Sequence, residues 1–236
     1  MARLSVAVHH IAAIREMNRS AEPDPVAAAV VAELAGADGI ACHIREDRRI
    51  IKEKDVYLLK ELVKTHLTLR ITATDEMVKL AIEVLPDMVT LVKPVRDGVS
   101  AAGSVDVSTN LDYFSEVIQM LRAHNIAVCT LIDPDVQQAK AAARLNVDYI
   151  ELNARTYARA DNYNRVMDEF ERLRSVIAGA SKLGLGISVS GGLNYQNIQE
   201  FARLPGAEEF TVGSALINKA LLVGMEKAVR DFKALL

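Results

Sequence analysis

The chain has 236 residues, of which 50% are hydrophobic and 25% charged, and its formal net charge at pH 7 is −3. These values are typical of a globular protein, and they provide no basic face of the kind that nucleic acids require. The amino terminus lacks the pattern of a secretory signal, and no apolar run approaches the roughly 18 residues that span a bilayer. We therefore expect a cytoplasmic protein that binds neither nucleic acid nor membrane.

Apolar runs and helical patterns alternate along the whole chain. Eight apolar runs predict buried parallel strands, at residues 4–8, 39–43, 67–71, 88–92, 126–132, 147–152, 185–189 and 209–212. Helical patterns follow them, at residues 26–34, 55–64, from 74 onward, and at 110–123, 134–144, 163–183, 194–204 and 215–236. The segment around Arg15 and Asn18 is predicted as a loop, as are residues 94–109, which are small and polar.

This alternation sets the fold class. At about 30 residues per βα unit, eight units favour a TIM (β/α)8 barrel over a doubly wound open sheet. We predict an α/β fold consisting of a single TIM-barrel domain, residues 1–236, with extra helical segments. Cys42 and Cys129 each lie within an apolar run and are expected to be reduced core residues. The chain has neither a CxxC motif nor Cys/His ligand spacing, so no metal site is expected.

Polar residues collect at the carboxyl ends of the predicted strands, which in a barrel share one rim where ligands bind. They are His9, His10, His43, Arg45, Arg70, Lys93, Asp133, Glu151 and Asn153. Because histidine titrates near neutral pH, His43 is the first candidate for a general acid or base. Burial of Glu151 requires a partner such as Arg45, Arg70 or a histidine, so its role is either catalysis or a structural ion pair. His66 and His124 precede strands and are predicted to be structural.

Two glycine-containing turns precede the last two helical regions. Gly191-Gly192 follows the seventh strand, and Gly213-Ser214 follows the eighth. Glycine lets the backbone approach an anion, whose charge the N–H groups and dipole of a following helix stabilise. The same two loops form the usual phosphate site of TIM barrels. These turns therefore favour a phosphorylated small ligand, the alternative being that they are only tight turns.

Five segments resemble the pyridoxine 5′-phosphate synthase family in order and spacing. They are His10-Ile11-Ala12, Pro23-Asp24-Pro25-Val26, Gly36-Ala37-Asp38-Gly39-Ile40, His43-Ile44-Arg45-Glu46-Asp47-Arg48-Arg49 and Val212-Gly213-Ser214-Ala215-Leu216-Ile217. The resemblance implies a transferase-type enzyme of vitamin B6 biosynthesis that condenses 1-deoxy-D-xylulose 5-phosphate with 3-amino-2-oxopropyl phosphate. It also implies a homo-oligomer built from dimers, no organic cofactor, and a loop after the fourth strand that closes over the site.

Residue roles follow from the resemblance alone. His43 matches the catalytic histidine, and Glu151 matches a carboxylate that stabilises the reacting species. His10 and Arg45 match residues that hold the pentulose phosphate. The remaining matches are Gly192 and Gly213 at the amino-ketone phosphate, with Ser214 at a neighbouring ligand position, and Ser100 for the threonine of the closing loop.

Two catalytic positions of the family are altered in this chain. Arg70 stands for a glutamate and Gly191 for a second histidine, while Ala7, His9, Asn18, Ile50 and Ser214 replace other residues at ligand positions. Arg70 is a permanent cation that disfavours protonation of His43 and adds charge to an anion site. Two alternatives therefore stand beside the family's reaction: a catalytically impaired phosphate-binding or regulatory relative, and a different small-phosphate lyase or isomerase.

Overall fold

The computed structural model describes residues 2–95 and 102–236. Eight parallel strands close into a barrel in chain order: β1 Arg3–Ala7, β2 Gly39–His43, β3 Leu67–Ile71, β4 Met88–Leu91, β5 Ala127–Ile132, β6 Tyr149–Asn153, β7 Gly186–Ser190 and β8 Glu209–Val212. Within the described residues the helices are α1 His9–Asn18, α2 Pro25–Leu34, α3 Glu53–Leu62, α4 Asp75–Val84, α5 Leu111–Ala123, α6 Val136–Arg144, α7 Arg155–Ala158, α8 Tyr163–Lys182, α9 Ile198–Ala202, α10 Ser214–Val223 and α11 Met225–Lys233. The prediction of a TIM barrel with extra helical segments is confirmed.

The strands are buried on both faces, which explains their nearly continuous apolar sequence. Side chains that alternate outward, such as Val6, Leu69 and Phe210, pack with the helices to form the main apolar core. The inward positions instead carry small or polar side chains: Ser5, Thr68, Arg70, Thr90, Glu151, Ser188 and Glu209 are all buried. The barrel interior is therefore polar, and its upper layer leads directly to the rim.

Four helix predictions were wrong. The segment around Arg15 is helix α1 rather than a loop, and its cap residue Val8 supplies no side-chain hydrogen bond, so the usual sequence signal of a helix start is missing. The predicted closing helix divides into α10 and α11 at Gly224, whose φ of 83° ends a helix. The short helix α7 was not predicted, and α9 covers only part of residues 194–204.

The described part of the long loop after β4 is packed against the barrel. Lys93 N donates to Gly103 O at 2.9 Å, and Val105 N donates to Leu131 O at 2.8 Å. Val105 and Val107 are buried in the core, although the composition of residues 94–109 indicated no core pattern. Ser100, the predicted counterpart of the closing-loop threonine, lies outside the described residues.

Ion pairs fill the end of the barrel at the amino ends of the strands. Glu209 is buried, and its Oε2 lies 3.2 Å from Nε2 of His66 and 3.8 Å from Nε of Arg3. The hydrogen bond to Glu209 raises the pKa of His66. Gly39 leaves room for this arrangement, since a Cβ there would lie 2.3 Å from Cε1 of His66. The predicted structural role of His66 agrees with these contacts.

Aspartates that precede three strands join those strands to their neighbours at the same end. Asp38 Oδ2 accepts from Leu4 N at 2.6 Å, Asp87 Oδ2 from Leu67 N at 2.8 Å, and Asp148 Oδ2 from Val128 N at 2.8 Å. The three bonds link, in this order, β1 to the start of β2, β3 to the start of β4, and β5 to the start of β6. Among the described residues, no helix is long and apolar enough to cross a membrane.

Candidate active site

A cavity of about 710 Å³ opens at the rim formed by the carboxyl ends of the strands, and we call it the rim cavity. Its described lining consists of Ala7, His9, His10, Arg70, Ala102, Leu131, Asn153, Arg155, Ala158, Arg159, Ser190, Gly191, Gly192, Leu193, Thr211, Gly213 and Ser214. Three of these side chains are guanidinium groups, two are imidazoles, and none is a carboxylate. The rim cavity is therefore suited to an anionic ligand.

Three histidines cluster beside the rim cavity. His9 and His10 begin α1 directly after β1, and His43 ends β2. The ring centroid of His9 lies 4.4 Å from that of His10 and 5.9 Å from that of His43. Burial, reinforced by the charge of Arg70, lowers the pKa of His10 to about 4 and that of His43 to about 3. These rings are uncharged at neutral pH, so they are available to accept a proton rather than to donate one from the imidazolium.

Arg70 and Glu151 form a buried ion pair across the barrel interior. Nη2 of Arg70 lies 2.5 Å from Oε1 of Glu151, and Ser190 Oγ donates to the same oxygen. The exposed fractions of Arg70 and Glu151 are only 7% and 2%. Nε of Arg70 is buried and has no hydrogen-bond partner in the described protein. Glu151 is thus already bound by two donors, whereas Arg70 retains a free donor beside the rim cavity.

The two glycine turns lie on one side of the rim cavity. Gly191 and Gly192 have φ angles of 95° and 82°, a conformation that favours glycine. A Cβ at Gly192 would lie 2.5 Å from Cβ of Ala158, and one at Gly213 would lie 2.3 Å from the His10 ring. Helix α10 begins at Ser214, directly after Gly213. A helix start therefore borders the cavity at Gly213, as the sequence predicted. The prediction was wrong for Gly191-Gly192, because α9 begins only at Ile198.

His43 and Arg45 lie outside the lining of the rim cavity. They border a smaller adjoining cavity of about 150 Å³, whose described lining also includes Thr72, Pro94 and Asp47. Nη2 of Arg45 lies 2.8 Å from Oδ2 of Asp47. The predicted site residues are thus divided between two cavities: His10 and Arg70 line the rim cavity, whereas His43 and Arg45 line the smaller one. Glu151 lines neither cavity and reaches the rim through its contact with Arg70.

Sequence reasoning missed four polar residues of the rim cavity, Arg155, Arg159, Ser190 and Thr211. Arg155 follows the end of β6 by two residues, so the strand-end criterion that selected Asn153 would also have found it. Arg159 lies one helical turn later, at the end of a helix that was not predicted. Ser190 is the last residue of β7, and its contact with Glu151 depends on side-chain directions across the barrel.

Comparison with known proteins identifies the family. Residues 4–236 match the family model described as pyridoxal phosphate biosynthesis protein PdxJ. The chain belongs to this family. It is 47% identical over 231 residues to the pyridoxine 5′-phosphate synthase of Geotalea daltonii, which covers 98% of this chain and 97% of the relative. The synthase of a Synechocystis species is 46% identical over 234 residues, covering 99% and 97%. The resemblance inferred from the sequence is confirmed.

Solved structures of other proteins share the fold at low sequence identity. The thiamine phosphate pyrophosphorylase of Pyrococcus furiosus superposes with a TM-score of 0.65 at 16% identity, covering 99% of this chain and 94% of that chain. A monomer generated from the dimeric phosphoribosylanthranilate isomerase of Thermotoga maritima gives a TM-score of 0.63 at 13% identity, covering 100% and 98%. These similarities support the barrel architecture of this PdxJ family member.

Proposed function

We propose that the protein catalyses the pyridoxine 5′-phosphate synthase reaction. In this reaction 1-deoxy-D-xylulose 5-phosphate condenses with 3-amino-2-oxopropyl phosphate, and phosphate and water are released. The observation that carries the proposal is the 47% identity, over 98% of the chain, to relatives with that name. The rim cavity supports it independently, because its guanidinium groups and glycine turns suit phosphorylated substrates.

The two phosphate groups are assigned to different parts of the site. Gly192, in the turn after β7, and Gly213 and Ser214, at the start of α10, border the rim cavity and are proposed to hold the amino-ketone phosphate. Arg45, which lines the smaller cavity, is proposed to hold the pentulose phosphate. His10, which lies against Gly213, is proposed to help Arg45 hold the pentulose phosphate. Ser100 keeps its proposed role in the closing loop.

Proton transfer is proposed to depend on His43. The condensation requires protons to be removed from carbon and nitrogen and returned to departing oxygen, and a neutral imidazole performs both steps in turn. Burial and the charge of Arg70 lower the pKa of His43, so the ring begins the cycle as a base. Glu151 is expected to act by fixing Arg70, whose guanidinium lines the rim cavity and supplies positive charge beside the reacting oxygens.

A second candidate function is phosphate-ligand binding without turnover. The specific observation that favours it is the Arg70–Glu151 ion pair, which occupies the carboxylate most deeply placed in the site. Gly191, at the position of the family's second catalytic histidine, contributes no group that transfers a proton. On this reading the protein binds the substrates or product and regulates their use.

Formation of pyridoxine 5′-phosphate from both substrates by the purified protein distinguishes the two functions. Turnover is expected, and His43→Ala should reduce kcat by about 10²- to 10⁴-fold, the usual contribution of a general acid or base. His124→Ala is the matched control, because His124 is exposed and bonds only to Met120 O in the described structure. A folded parent protein without turnover that still binds the product would establish the second function instead.

The expected assembly and location are part of the same proposal. The protein is proposed to act in the cytoplasm as a homo-oligomer built from dimers. Light scattering of the purified chain measures its mass in solution, and a mass of 25.8 kDa, that of one chain, would contradict the proposed assembly.

A further inference from the structure

Arg155 and Arg159 border the rim cavity from one short helix. Arg155 begins α7, and Arg159 follows its last residue, so the two side chains are four positions apart on the same side of the helix. Both line the rim cavity. Helix α7 packs against the glycine turn, because Ala158 occupies the space that a Cβ of Gly192 would need. The two guanidinium groups therefore lie beside the turn proposed to hold a phosphate.

The charge of this pair is not balanced by the protein. Neither Arg155 nor Arg159 forms a salt bridge within residues 2–95 and 102–236; the side chain of Arg155 contacts Ala102 O at 3.5 Å. Asp133 is the acidic residue whose charge acts on Arg155, and its Oδ1 accepts from Ser104 Oγ at 2.6 Å. Burial, followed by the positive charge of Arg159, lowers the pKa of Arg155. Two like charges held together at a cavity without carboxylates create a site that an anion would stabilise.

We propose that Arg155 and Arg159 form a clamp that binds the phosphate group of the ligand at the Gly191–Gly192 turn. The ligand class is a phosphate monoester, whose dianion neutralises both arginines. The fork of a guanidinium matches two phosphate oxygens, and backbone N–H groups of the turn supply the remaining donors. The inference rests on the proposed function, since it assumes a phosphorylated ligand in the rim cavity, and it adds two residues that set affinity and specificity there.

The clamp has a geometric counterpart deeper in the cavity. Arg70 is 93% buried, given its exposed fraction of 7%, and its Nε has no partner in the described protein. Because this Nε is itself buried, Arg70 contributes positive charge to the rim cavity, and the clamp supplies the contacts with the phosphate. The site is thus expected to discriminate against unphosphorylated compounds through the clamp.

Calorimetric titration tests the clamp with two probes, inorganic phosphate and pyridoxine 5′-phosphate. Arg155→Gln and Arg159→Gln should each weaken binding of both probes about tenfold, as expected for loss of one charge-assisted contact. Arg155→Lys should give an intermediate affinity, because lysine keeps the charge but not the fork. Unphosphorylated pyridoxine should bind the parent and Arg155→Gln equally.

Arg203→Gln is the matched control. Arg203 is exposed and follows α9, at the opposite end of the barrel. Its loss changes the net charge equally and should leave both affinities unchanged. The clamp is excluded if the Arg155→Gln, Arg159→Gln double variant binds inorganic phosphate within twofold of the parent, or if Arg203→Gln weakens binding equally.

Failure of the clamp is separable from failure of the proposed function. Turnover in the double variant with unchanged phosphate affinity would remove the clamp and keep the synthase activity. Weakened phosphate binding in a parent protein that has no turnover would keep the clamp and support the binding function. Circular dichroism of each variant checks that the barrel is folded, and Arg155→Lys keeps the test valid if the glutamine variants are unstable.

Discussion

Histidine, arginine and glutamate meet inside the barrel at both of its ends, with opposite consequences. At the amino ends of the strands, Glu209 lies against His66 and Arg3, and the pKa of His66 is raised. At the carboxyl ends, Glu151 is bound by Arg70, and the pKa of His43 is lowered. The first end is closed by mutual pairing. At the second end the imidazoles are uncharged and Nε of Arg70 has no partner in the described protein. That end therefore keeps positive charge for an anionic ligand and neutral imidazoles for proton transfer.

The largest expected effect comes from breaking the buried pair at the rim. Arg70→Met leaves Glu151 charged and buried beside Ser190, and it should lower the free energy of unfolding by about 3–5 kcal/mol. Urea denaturation measures this loss. Arg174→Met is the matched control, because Arg174 pairs with Glu171 on the surface, with side chains 58% and 45% exposed. Such exposed pairs contribute at most about 1 kcal/mol.

A similar loss in both variants would contradict the comparison. It would mean that water reaches the Arg70–Glu151 pair, so that the pair contributes no more to stability than an exposed pair does. A large loss for Arg70→Met alone supports an ion pair that stabilises the barrel as well as orienting Arg70.

A smaller effect is expected from crowding the opposite end. Gly39→Ala places a Cβ 2.3 Å from Cε1 of His66, and moving that ring disturbs its contacts with Glu209 and with Asp38 O. The substitution should destabilise the protein by about 1–3 kcal/mol, as overpacking usually does. It should leave phosphate affinity unchanged, since Gly39 lies at the far end of β2.

Gly179→Ala provides the opposite outcome in the same assay. Gly179 lies inside α8, and a Cβ there meets nothing within 4 Å. Alanine should therefore stabilise the protein by about 0.5–1 kcal/mol through its higher helix propensity. Equal stability changes for the two alanine variants would show that the His66–Glu209 arrangement is not tightly packed.

The last effect expected is a difference in how the two histidines make stability depend on pH. The pKa of His43 is about 3 when folded, against 6.5 as its ordinary value, so the folded state binds fewer protons and stability falls as pH drops below 6.5. The pKa of His66 is raised, so its contribution is present below pH 6.5 and is lost as pH rises through the folded pKa. His43→Asn should therefore reduce the loss of stability in acid, and His66→Asn should increase it.

The test is to measure the free energy of unfolding of each variant between pH 5 and pH 8, a range around the reference pKa of about 6.5. The slope of this free energy against pH is then compared with that of the parent protein. A change of the same sign in the two variants would contradict the assignment of opposite environments to these histidines.

The strands could be predicted because burial on both faces demands nearly continuous apolar sequence. Runs such as residues 67–71 and 126–132 carried that signal, and β3 and β5 follow them closely. Helix α1 could not be predicted, since its start at His9 has no capping side chain and its stability comes from packing against the barrel. Helix α7 is too short for a periodic pattern.

The candidate site was predicted by searching for polar residues at the carboxyl ends of the predicted strands. That search selected His10, His43 and Arg70, and it allowed the pairing of Glu151 with Arg70 that the structure contains. The strand-end criterion could not divide the rim into two cavities, because that depends on how the side chains pack around each strand end. The roles of these residues stay predictions until the variants are measured.

The aspartate contacts at the amino ends of the strands define a repeating unit. Asp38, Asp87 and Asp148 each join an odd-numbered strand to the next even-numbered one, so six of the eight strands are linked in pairs. The chain ends also lie close together, since Lys233 Nζ reaches Ala2 O at 3.5 Å and bonds to Asp38. A circular permutation that joins these ends and opens the chain between β2 and β3 would keep all three aspartate contacts intact, whereas opening it between β3 and β4 would separate Asp87 from Leu67 along the chain.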